Sequence, residues 1–123
     1  MEKRPKTIFC DIDGTLIKHY SPDIVSKLAN SESKGELLDG TLTKLREWDS
    51  KGYNIILTTG RKESLRSVTV NQLSSLGIFY DKLIMGIGGG VRVLINDLKT
   101  CGTYNTAIAI NIERNKGIKD VKI

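Results

Sequence analysis

Two carboxylates separated by one residue stand near the N-terminus, directly after an apolar run. Asp11 and Asp13 follow Thr7 to Cys10, and a glycine and a threonine come next. A strand that ends in a glycine loop presents its last carboxylate beyond the carboxyl edge of a sheet, where ligands bind in open α/β sheets. Two residues farther along a regular strand, the second carboxylate would point the same way. Such a pair can bind a hard cation, or divide the roles of nucleophile and general acid/base.

Two further apolar runs end in residues that suit phosphate or metal chemistry. Tyr53 to Thr58 leads into Thr59, Gly60 and Arg61, where hydroxyl and backbone N–H groups can hold phosphate oxygens. Arg61 either reaches that phosphate or neutralises a helix or a neighbouring carboxylate. The run that ends at Ile95 is followed by Asn96 and Asp97, which adds a third acid at a strand end.

These residues meet only if the strands that carry them share one sheet. Five runs are predicted to be strands: Thr7 to Cys10, Tyr53 to Thr58, Asp81 to Met85, Val91 to Ile95 and Thr106 to Ile112. Near-continuous apolar strands separated by helical segments indicate a parallel sheet with both faces covered. Right-handed crossovers then place all carboxyl ends at one edge, so Asp11, Thr59 and Asp97 converge there.

Two amphipathic helices are predicted between the first three strands. One has its apolar face on Leu38, Leu42, Leu45 and Trp48, with Asp39 or Thr41 as its cap and Lys51-Gly52 at its end. The other has its apolar face on Leu65, Thr69, Leu73 and Leu76, and it ends at Gly77. The polar segment 19–35 interrupts the alternation and is interpreted as a flap or loop, and Gly86 to Gly90 as a flexible turn.

The string Asp11-Ile12-Asp13-Gly14-Thr15-Leu16 resembles the first signature of the haloacid dehalogenase (HAD) superfamily, and the match is complete. Leu57 to Arg61 resembles the second signature, and Val93 to Asp97 the fourth. The resemblance covers roughly residues 7–112. It implies an α/β fold, a three-layer Rossmann-like parallel sheet (the HAD core) without a cap domain. The whole of 1–123 is then expected to be a single HAD-like phosphatase domain.

The resemblance also implies site roles. Asp11 is expected to attack phosphorus and form an aspartyl-phosphate, with Asp13 as general acid and then base. Mg²⁺ is expected to bind Asp11, the Asp13 carbonyl and Asp97. Thr59 is the favoured phosphate-binding hydroxyl and Thr58 the second choice, with Gly60 and Arg61 beside them. Dehalogenase members lack the second carboxylate, so Asp13 favours the phosphatase branch.

The sequence departs from the HAD pattern at the third signature, which is a lysine. Many small phosphatases of the superfamily carry Gly-Lys-Pro after the strand equivalent to Asp81 to Met85, and this chain has Gly86-Ile87-Gly88. A cation is still needed beside the nucleophile. Arg92 is the first candidate and Lys82 the second. The additional acid that often follows the fourth signature is also missing, because Thr100 and Cys101 occupy those positions.

The predicted reaction is therefore Mg²⁺-dependent hydrolysis of a small phosphorylated metabolite, such as a sugar phosphate. Two alternatives remain open. A catalytically weak phosphate-binding module acting by association would explain the missing lysine and acid. A nucleic-acid 3′-phosphatase is suggested by the basic charge alone. The net charge is +5, but aromatic residues make up only 6% of the chain, so nucleic acid is a disfavoured partner.

Composition sets the remaining expectations. No apolar run approaches a membrane span and the N-terminus lacks the apolar stretch of a secretory signal, so no membrane partner and a cytoplasmic location are expected. Cys10 is expected to be a small core residue and His19, the single histidine, a surface residue. Without a cap the site is open, so a homo-oligomer is expected, with 19–35 as its contact.

Overall fold

The structure is a computed structural model that describes residues 4–19, 35–99 and 105–123. Five main elements follow one another along the chain: β1 (Thr7–Asp11), α1 (Thr41–Ser50), β2 (Asn54–Thr58), α2 (Arg66–Ser75) and β3 (Lys82–Ile84). A 3-10 turn, Glu63–Leu65, directly precedes α2. These elements confirm the first three predicted strands and both predicted helices. No helix within the described ranges is long and apolar enough to cross a membrane.

The three strands form a parallel sheet with β2 in the middle. In its register Asp11 lies opposite Thr58, and Thr58 lies opposite Ile84. Because all three strands run the same way, their carboxyl ends meet at one edge, which we call the catalytic edge. This confirms the Rossmann-like α/β core and brings the first and second signatures side by side.

One face of the sheet is covered by both helices. Its inward side chains, among them Cys10 and Leu57, share one buried cluster with Leu45 of α1 and Leu73 of α2. The opposite face is only partly covered: Phe9 is 58% exposed, whereas Ile56, its neighbour on β2, is buried. Each fully buried Leu or Ile contributes about 1.5–3 kcal/mol, so the helix-covered face supplies most of the core energy. The described residues thus form two layers, and the third layer of the sequence-based prediction is not among them.

The two later predicted strands are not strands in the described residues. Val91 to Ile95 and Thr106 to Ile112 pair with no other segment there, and most of their side chains are exposed: Val91 by 94%, Ile95 by 92% and Ile108 by 70%. We call residues 91–99 and 105–111 the arm. The prediction was wrong for this chain because an apolar β-branched run shows a preference for strand, whereas a strand also needs a hydrogen-bonded neighbour.

The start of α1 also differs from the prediction. Its N-cap is Gly40, in the left-handed region at φ +85°, and no side chain caps the helix. The Thr41 hydroxyl lies instead within hydrogen-bond distance of the carbonyls of Leu16 (2.8 Å) and Leu38 (2.9 Å). The Asp39 carbonyl accepts the N–H groups of two residues near the C-terminus, so this residue is tied into tertiary structure.

Residues 113–121, which we call the C-terminal segment, hold the catalytic edge from outside the sheet. The N–H of Asn115 donates to the Gly14 carbonyl at 2.9 Å. The N–H of His19 donates to Asn115 Oδ1 at 2.7 Å. Ile118 is 2% exposed and belongs to the same core cluster as Cys10. The segment therefore fixes the loop after β1 and closes the core. His19 itself is exposed, as predicted.

Cys10 is buried, as the sequence predicts. Burial, with a smaller contribution from the Asp11 charge, raises the pKa of its thiol to about 12. A thiol with that pKa is protonated at neutral pH, so Cys10 is a core residue and not a second nucleophile. Cys101 and the predicted flap beyond His19 lie outside the described residues.

Candidate active site

Asp11 ends β1 at the catalytic edge. Burial of its carboxyl group among neighbouring chain atoms raises its pKa, and the charge of Asp13 adds to the rise. Three smaller effects lower the Asp11 pKa and oppose this rise: a hydrogen bond from the Ile12 backbone, the charge of Arg92 and a hydrogen bond from the Thr15 side chain. The carboxylate is thus partly desolvated while polar groups hold it, which suits a nucleophile.

The loop after Asp11 is a tight backbone turn. The N–H groups of Thr15, Leu16 and Ile17 all point at the Ile12 carbonyl, at 3.2, 2.9 and 3.1 Å. Gly14 takes φ +85°, a conformation that costs an L-residue energy, and its N–H donates to the Ile17 carbonyl at 2.7 Å. Ile12, Leu16 and Ile17 have no measurable exposure, so the loop is anchored in the core. This explains why the first signature needs glycine after the second acid.

Arg61 binds Asp13, which decides between the two roles that the sequence leaves open for it. Arg61 Nε donates to Asp13 Oδ2 at 2.9 Å, and Nη2 donates to Oδ1 at 2.7 Å. Nη1 donates to the Thr69 hydroxyl at 3.0 Å and to Gln72 Oε1 at 2.8 Å. The Arg61 side chain is only 5% exposed. Arg61 therefore orients the proposed acid/base and is not free to reach a substrate phosphate.

Thr58 and Thr59 occupy different environments. Thr59 is 1% exposed, and its hydroxyl oxygen accepts the Arg61 N–H at 3.1 Å. Its backbone N–H donates to the Ile84 carbonyl at 3.0 Å. Thr58 is half-buried and lies directly opposite Asp11 across the β1–β2 ladder. Residues opposite each other in a sheet share a face, so Thr58 is the better placed hydroxyl beside Asp11, although the sequence favours Thr59.

Gly60 lets a second backbone approach the edge. A Cβ atom on Gly60 would lie 2.8 Å from the Gly88 carbonyl oxygen. The N–H of Gly86 donates to the Arg61 carbonyl at 2.7 Å, and that of Ile87 to the Thr59 carbonyl at 3.3 Å. The chain after β3 thus crosses directly over the Thr59–Arg61 loop and continues towards Arg92. The segment Gly86 to Gly90 is predicted to be a flexible turn, but its first part packs against this loop.

Between the two candidates for the missing cation, the geometry favours Arg92. Its charge lowers the pKa of Asp11, and its guanidinium bonds the Gly90 carbonyl. Lys82 lies opposite Ile56 at the start of β3, away from the catalytic edge. Arg92 is therefore the candidate whose charge acts on Asp11.

Asp97 does not join the other two acids within one chain. It is exposed on the arm, and its Oδ1 accepts the Lys99 N–H at 3.1 Å. Among the described residues no three acids, histidines or cysteines form a group that would hold a metal ion. The charge of Asp13 contributes to the raised pKa of Asp11, so the two acids lie close together, and carboxylate and carbonyl oxygens are ligands that Mg²⁺ takes. The residues at the catalytic edge therefore suit Mg²⁺ in their chemistry, but the third acid is not among them.

Arg114 is a neighbour of the site that the sequence did not indicate. Its Cγ lies 3.3 Å from the position that a Cβ on Gly14 would take. It reaches this loop because Asn115 bonds Gly14, and no local pattern relates residues 100 positions apart in the chain. The loop after Asp11 is therefore bordered by two arginines, Arg92 and Arg114, which suits an anionic substrate.

Comparisons with known proteins identify a matching family and similar structures. A family model of the HAD superfamily, subfamily IIIB (acid phosphatase), matches residues 1–88. Among solved structures, a chain of the Pnkp1/Rnl/Hen1 complex aligns with a TM-score of 0.57 and 29% identity, over 74% of this chain and 31% of that one. A structural-genomics target from Vibrio cholerae aligns with a TM-score of 0.49 and 18% identity, over 85% of this chain and 79% of that one.

No curated protein sequence matches the chain significantly. The family model covers well over half of the sequence, including both acids of the first signature and the Thr59–Arg61 loop. The chain belongs to the HAD superfamily, subfamily IIIB, a family of acid phosphatases.

Proposed function

We propose that this protein hydrolyses small phosphomonoesters, such as a sugar phosphate, with Asp11 as the nucleophile. The observation that carries the proposal is the arrangement at the catalytic edge. Asp11, whose pKa partial burial raises, lies opposite Thr58 and next to an Asp13 that Arg61 holds in place. Family membership supports the reaction class, and the substrate class is part of the proposal.

The proposed reaction has two steps. Asp11 forms a bond to phosphorus, and the bond from phosphorus to the leaving oxygen breaks, which gives an aspartyl-phosphate. Asp13 delivers a proton to the leaving oxygen in this step. In the second step Asp13 takes a proton from water as the water oxygen bonds to phosphorus, and the bond from phosphorus to Asp11 breaks, which releases phosphate and restores both acids. Because Arg61 contacts both Asp13 oxygens, one of them must exchange its arginine contact for the proton during the cycle.

The remaining residues hold the phosphate. Thr58 and the backbone N–H groups that follow it are proposed to bind phosphate oxygens, with Thr59 and Gly60 shaping the loop. Arg92 offsets negative charge at the nucleophile, as its effect on the Asp11 pKa indicates. Mg²⁺ is proposed as cofactor, held by the Asp11 carboxylate and the Asp13 carbonyl, where it would neutralise charge on the phosphate. Asp97, which the sequence suggests as a third ligand, is exposed on the arm and does not group with these two acids in the described residues.

Replacement of the nucleophile tests this proposal. Asp11→Asn keeps the size of the side chain and removes its charge, so hydrolysis of p-nitrophenyl phosphate should fall by about 10⁴-fold or more. Asp49→Asn, an exposed acid on α1, is the matched control and should retain full activity. Activity should also disappear with excess chelator and return with Mg²⁺. Wild-type turnover by Asp11→Asn would refute the nucleophile, and full activity in chelator would refute the metal requirement.

Two alternatives make different predictions in the same assay. A weak phosphate-binding module would bind inorganic phosphate without turnover of any phosphorylated metabolite in a screen with Mg²⁺. A nucleic-acid 3′-phosphatase, suggested by the net charge of +5, would be inhibited by single-stranded DNA, with an inhibition that weakens steeply as salt rises.

A further inference from the structure

The buried face of α2 carries two polar side chains. Thr69 has no measurable exposure and Gln72 is 5% exposed, next to Leu73 of the core. A buried hydroxyl or amide costs free energy unless it forms a hydrogen bond. The sequence places Thr69 on the apolar face of this helix and indicates no role for Gln72. The role of both side chains is therefore defined by what they contact.

Both side chains contact the same nitrogen of Arg61. Nη1 donates to the Thr69 hydroxyl at 3.0 Å and to Gln72 Oε1 at 2.8 Å. On its other side the guanidinium donates through Nε and Nη2 to the two oxygens of Asp13. A guanidinium is a planar group whose N–H donors form a rigid fork, so contacts on two sides fix its plane and its position. Arg61 is thus held between α2 and the proposed acid/base.

The two sides of the Arg61 guanidinium differ in the charge of their acceptors. Asp13 offers a carboxylate that is 19% exposed, whereas Thr69 and Gln72 offer neutral oxygens that are buried. Hydrogen bonds to an ionised acceptor are roughly twice as strong as those between neutral groups. The two residues of α2 therefore fix Arg61 without removing its attraction to Asp13.

We propose that Thr69 and Gln72 are positioning residues for proton transfer by Asp13, an inference that rests on the proposed function. In that reaction one Asp13 oxygen leaves Arg61 and faces the leaving oxygen of the substrate. Its O–H bond breaks, the leaving oxygen gains the proton, and the Asp13 carboxylate returns to Arg61 through both oxygens. The contacts to α2 keep Arg61 in place during this change. Without them Arg61 would move with Asp13, and the distance from the acid to the substrate would no longer be fixed.

A purely structural role of the two side chains would have a different effect on activity. Holding α2 against the loop after β2 would affect all substrates alike, because every substrate needs folded protein. Positioning of Asp13 affects only reactions whose leaving oxygen needs a proton, as in alkyl phosphates. The ratio of kcat for glycerol phosphate to kcat for p-nitrophenyl phosphate therefore isolates the positioning, since an equal loss of folded enzyme cancels in it.

Gln72→Glu tests the position of Arg61 with little change in shape. The new carboxylate lies where Nη1 now donates to a neutral oxygen, so it competes with Asp13 for the guanidinium. We expect the ratio to fall by about tenfold or more. Asn71→Asp is the matched control, because it adds the same charge on the exposed side of the same helix, and its ratio should stay at the wild-type value.

Thr69 offers a second test through two variants. Thr69→Val removes the hydroxyl and nearly keeps the size of the side chain, so Arg61 loses one of its contacts to α2 and the ratio should fall. Thr69→Ser keeps the hydroxyl and should restore most of the ratio. A wild-type ratio in both Gln72→Glu and Thr69→Val would overturn the positioning role.

Proton exchange of the Arg61 side chain is a measurement that needs no turnover. This side chain is only 5% exposed and is hydrogen-bonded on both sides, so NMR should detect its guanidinium N–H signals with slow exchange. Their absence in Arg61→Lys assigns them. Thr69→Val should accelerate the exchange, and Asn71→Asp should leave it unchanged. Equal exchange in the wild type and Thr69→Val would refute the hold of α2 on Arg61.

The outcomes separate the positioning role from the proposed function. An active wild type whose ratio does not change in these variants would refute the positioning role and leave the phosphatase proposal standing. A wild type that hydrolyses no phosphomonoester with Mg²⁺ would refute the phosphatase proposal. Slow exchange that Thr69→Val abolishes would then still support the hold of α2 on Arg61.

Discussion

Arg61 and Asp13 form a two-point ion pair, at 2.9 and 2.7 Å, across 48 residues of sequence. The pair joins the loop after β1 to the loop after β2. Arg61 also donates hydrogen bonds to Thr69 and Gln72 of α2, so it links both loops to that helix. The Arg61 guanidinium is nearly buried, so its position and its charge relative to Asp13 are fixed. The proposed acid/base is thus oriented by the same residue that holds two elements of the fold together.

Removal of this arginine should destabilise the protein. Arg61→Ala leaves the Asp13 carboxylate without its cation in a partly buried place, and breaking such a pair costs about 3–5 kcal/mol. Urea unfolding followed by Trp48 fluorescence measures the change. Arg66→Ala is the control: it removes an exposed pair with Glu63, so its cost should be below about 1 kcal/mol. Equal losses in both variants would contradict the structural role of Arg61.

Loss of the general acid should depend on the leaving group. Asp13→Asn cannot donate a proton, so kcat for alkyl phosphates should fall by about 10²–10⁴-fold. For p-nitrophenyl phosphate the loss should be far smaller, because that leaving group needs little protonation. A steady-state comparison of the two substrates gives the ratio. The same loss for both would show that Asp13 only supports the fold.

The raised pKa of Asp11 predicts a pH-dependent stability. The folded chain holds this proton more readily than the unfolded chain does, so stability falls as the pH rises from the ordinary value of 3.8 through the raised value in the folded protein. Asp11→Asn removes this cost. It should therefore unfold at a higher temperature than the wild type at neutral pH, with the difference vanishing below pH 3.8. A lower unfolding temperature at pH 7 would contradict the assignment.

Arg92 should be visible in the pH profile as well as in the rate. Its charge lowers the Asp11 pKa, so Arg92→Ala should raise that pKa and move the acidic limb of kcat/KM to higher pH. We expect kcat to fall by about 10²-fold, with Arg92→Lys partly active. Lys82→Ala should change neither quantity. An unshifted limb in Arg92→Ala would show that the arginine does not act on the nucleophile.

The contact between Gly60 and Gly88 should tolerate no side chain. In Gly60→Ala the new methyl group meets a backbone oxygen at 2.8 Å, so the crossing chain must move and Arg92 moves with it. Activity should fall more than stability. Gly89→Ala is the control, because nothing lies within 4 Å of its Cβ position. Activity assays beside thermal unfolding of both variants measure the contrast, and matched behaviour would refute the role of the crossing.

How far the sequence predicts this structure depends on whether the deciding interaction is local. The periodicity of Leu45 and Trp48 reports one helix face, and it predicts α1 well. The pairing of Arg61 with Asp13 was one of several open roles, because a cation in a loop has no local signature for its partner. The arm was predicted as strands since Val91 to Ile95 has strand composition, and composition does not encode which edge is free. Asn115 carries no sequence signal for its bond to Gly14.

The bond between His19 and Asn115 spans 96 residues, and this separation has a kinetic meaning. Closing so long a loop has a large cost in chain entropy. This contact should therefore form after the β1–α1–β2 unit has folded. Asn115→Ala should then leave the refolding rate nearly unchanged and accelerate unfolding. The loop after Asp11 would then be the last part of the molecule to fold and the first to unfold. Its opening would determine the lifetime of the native state.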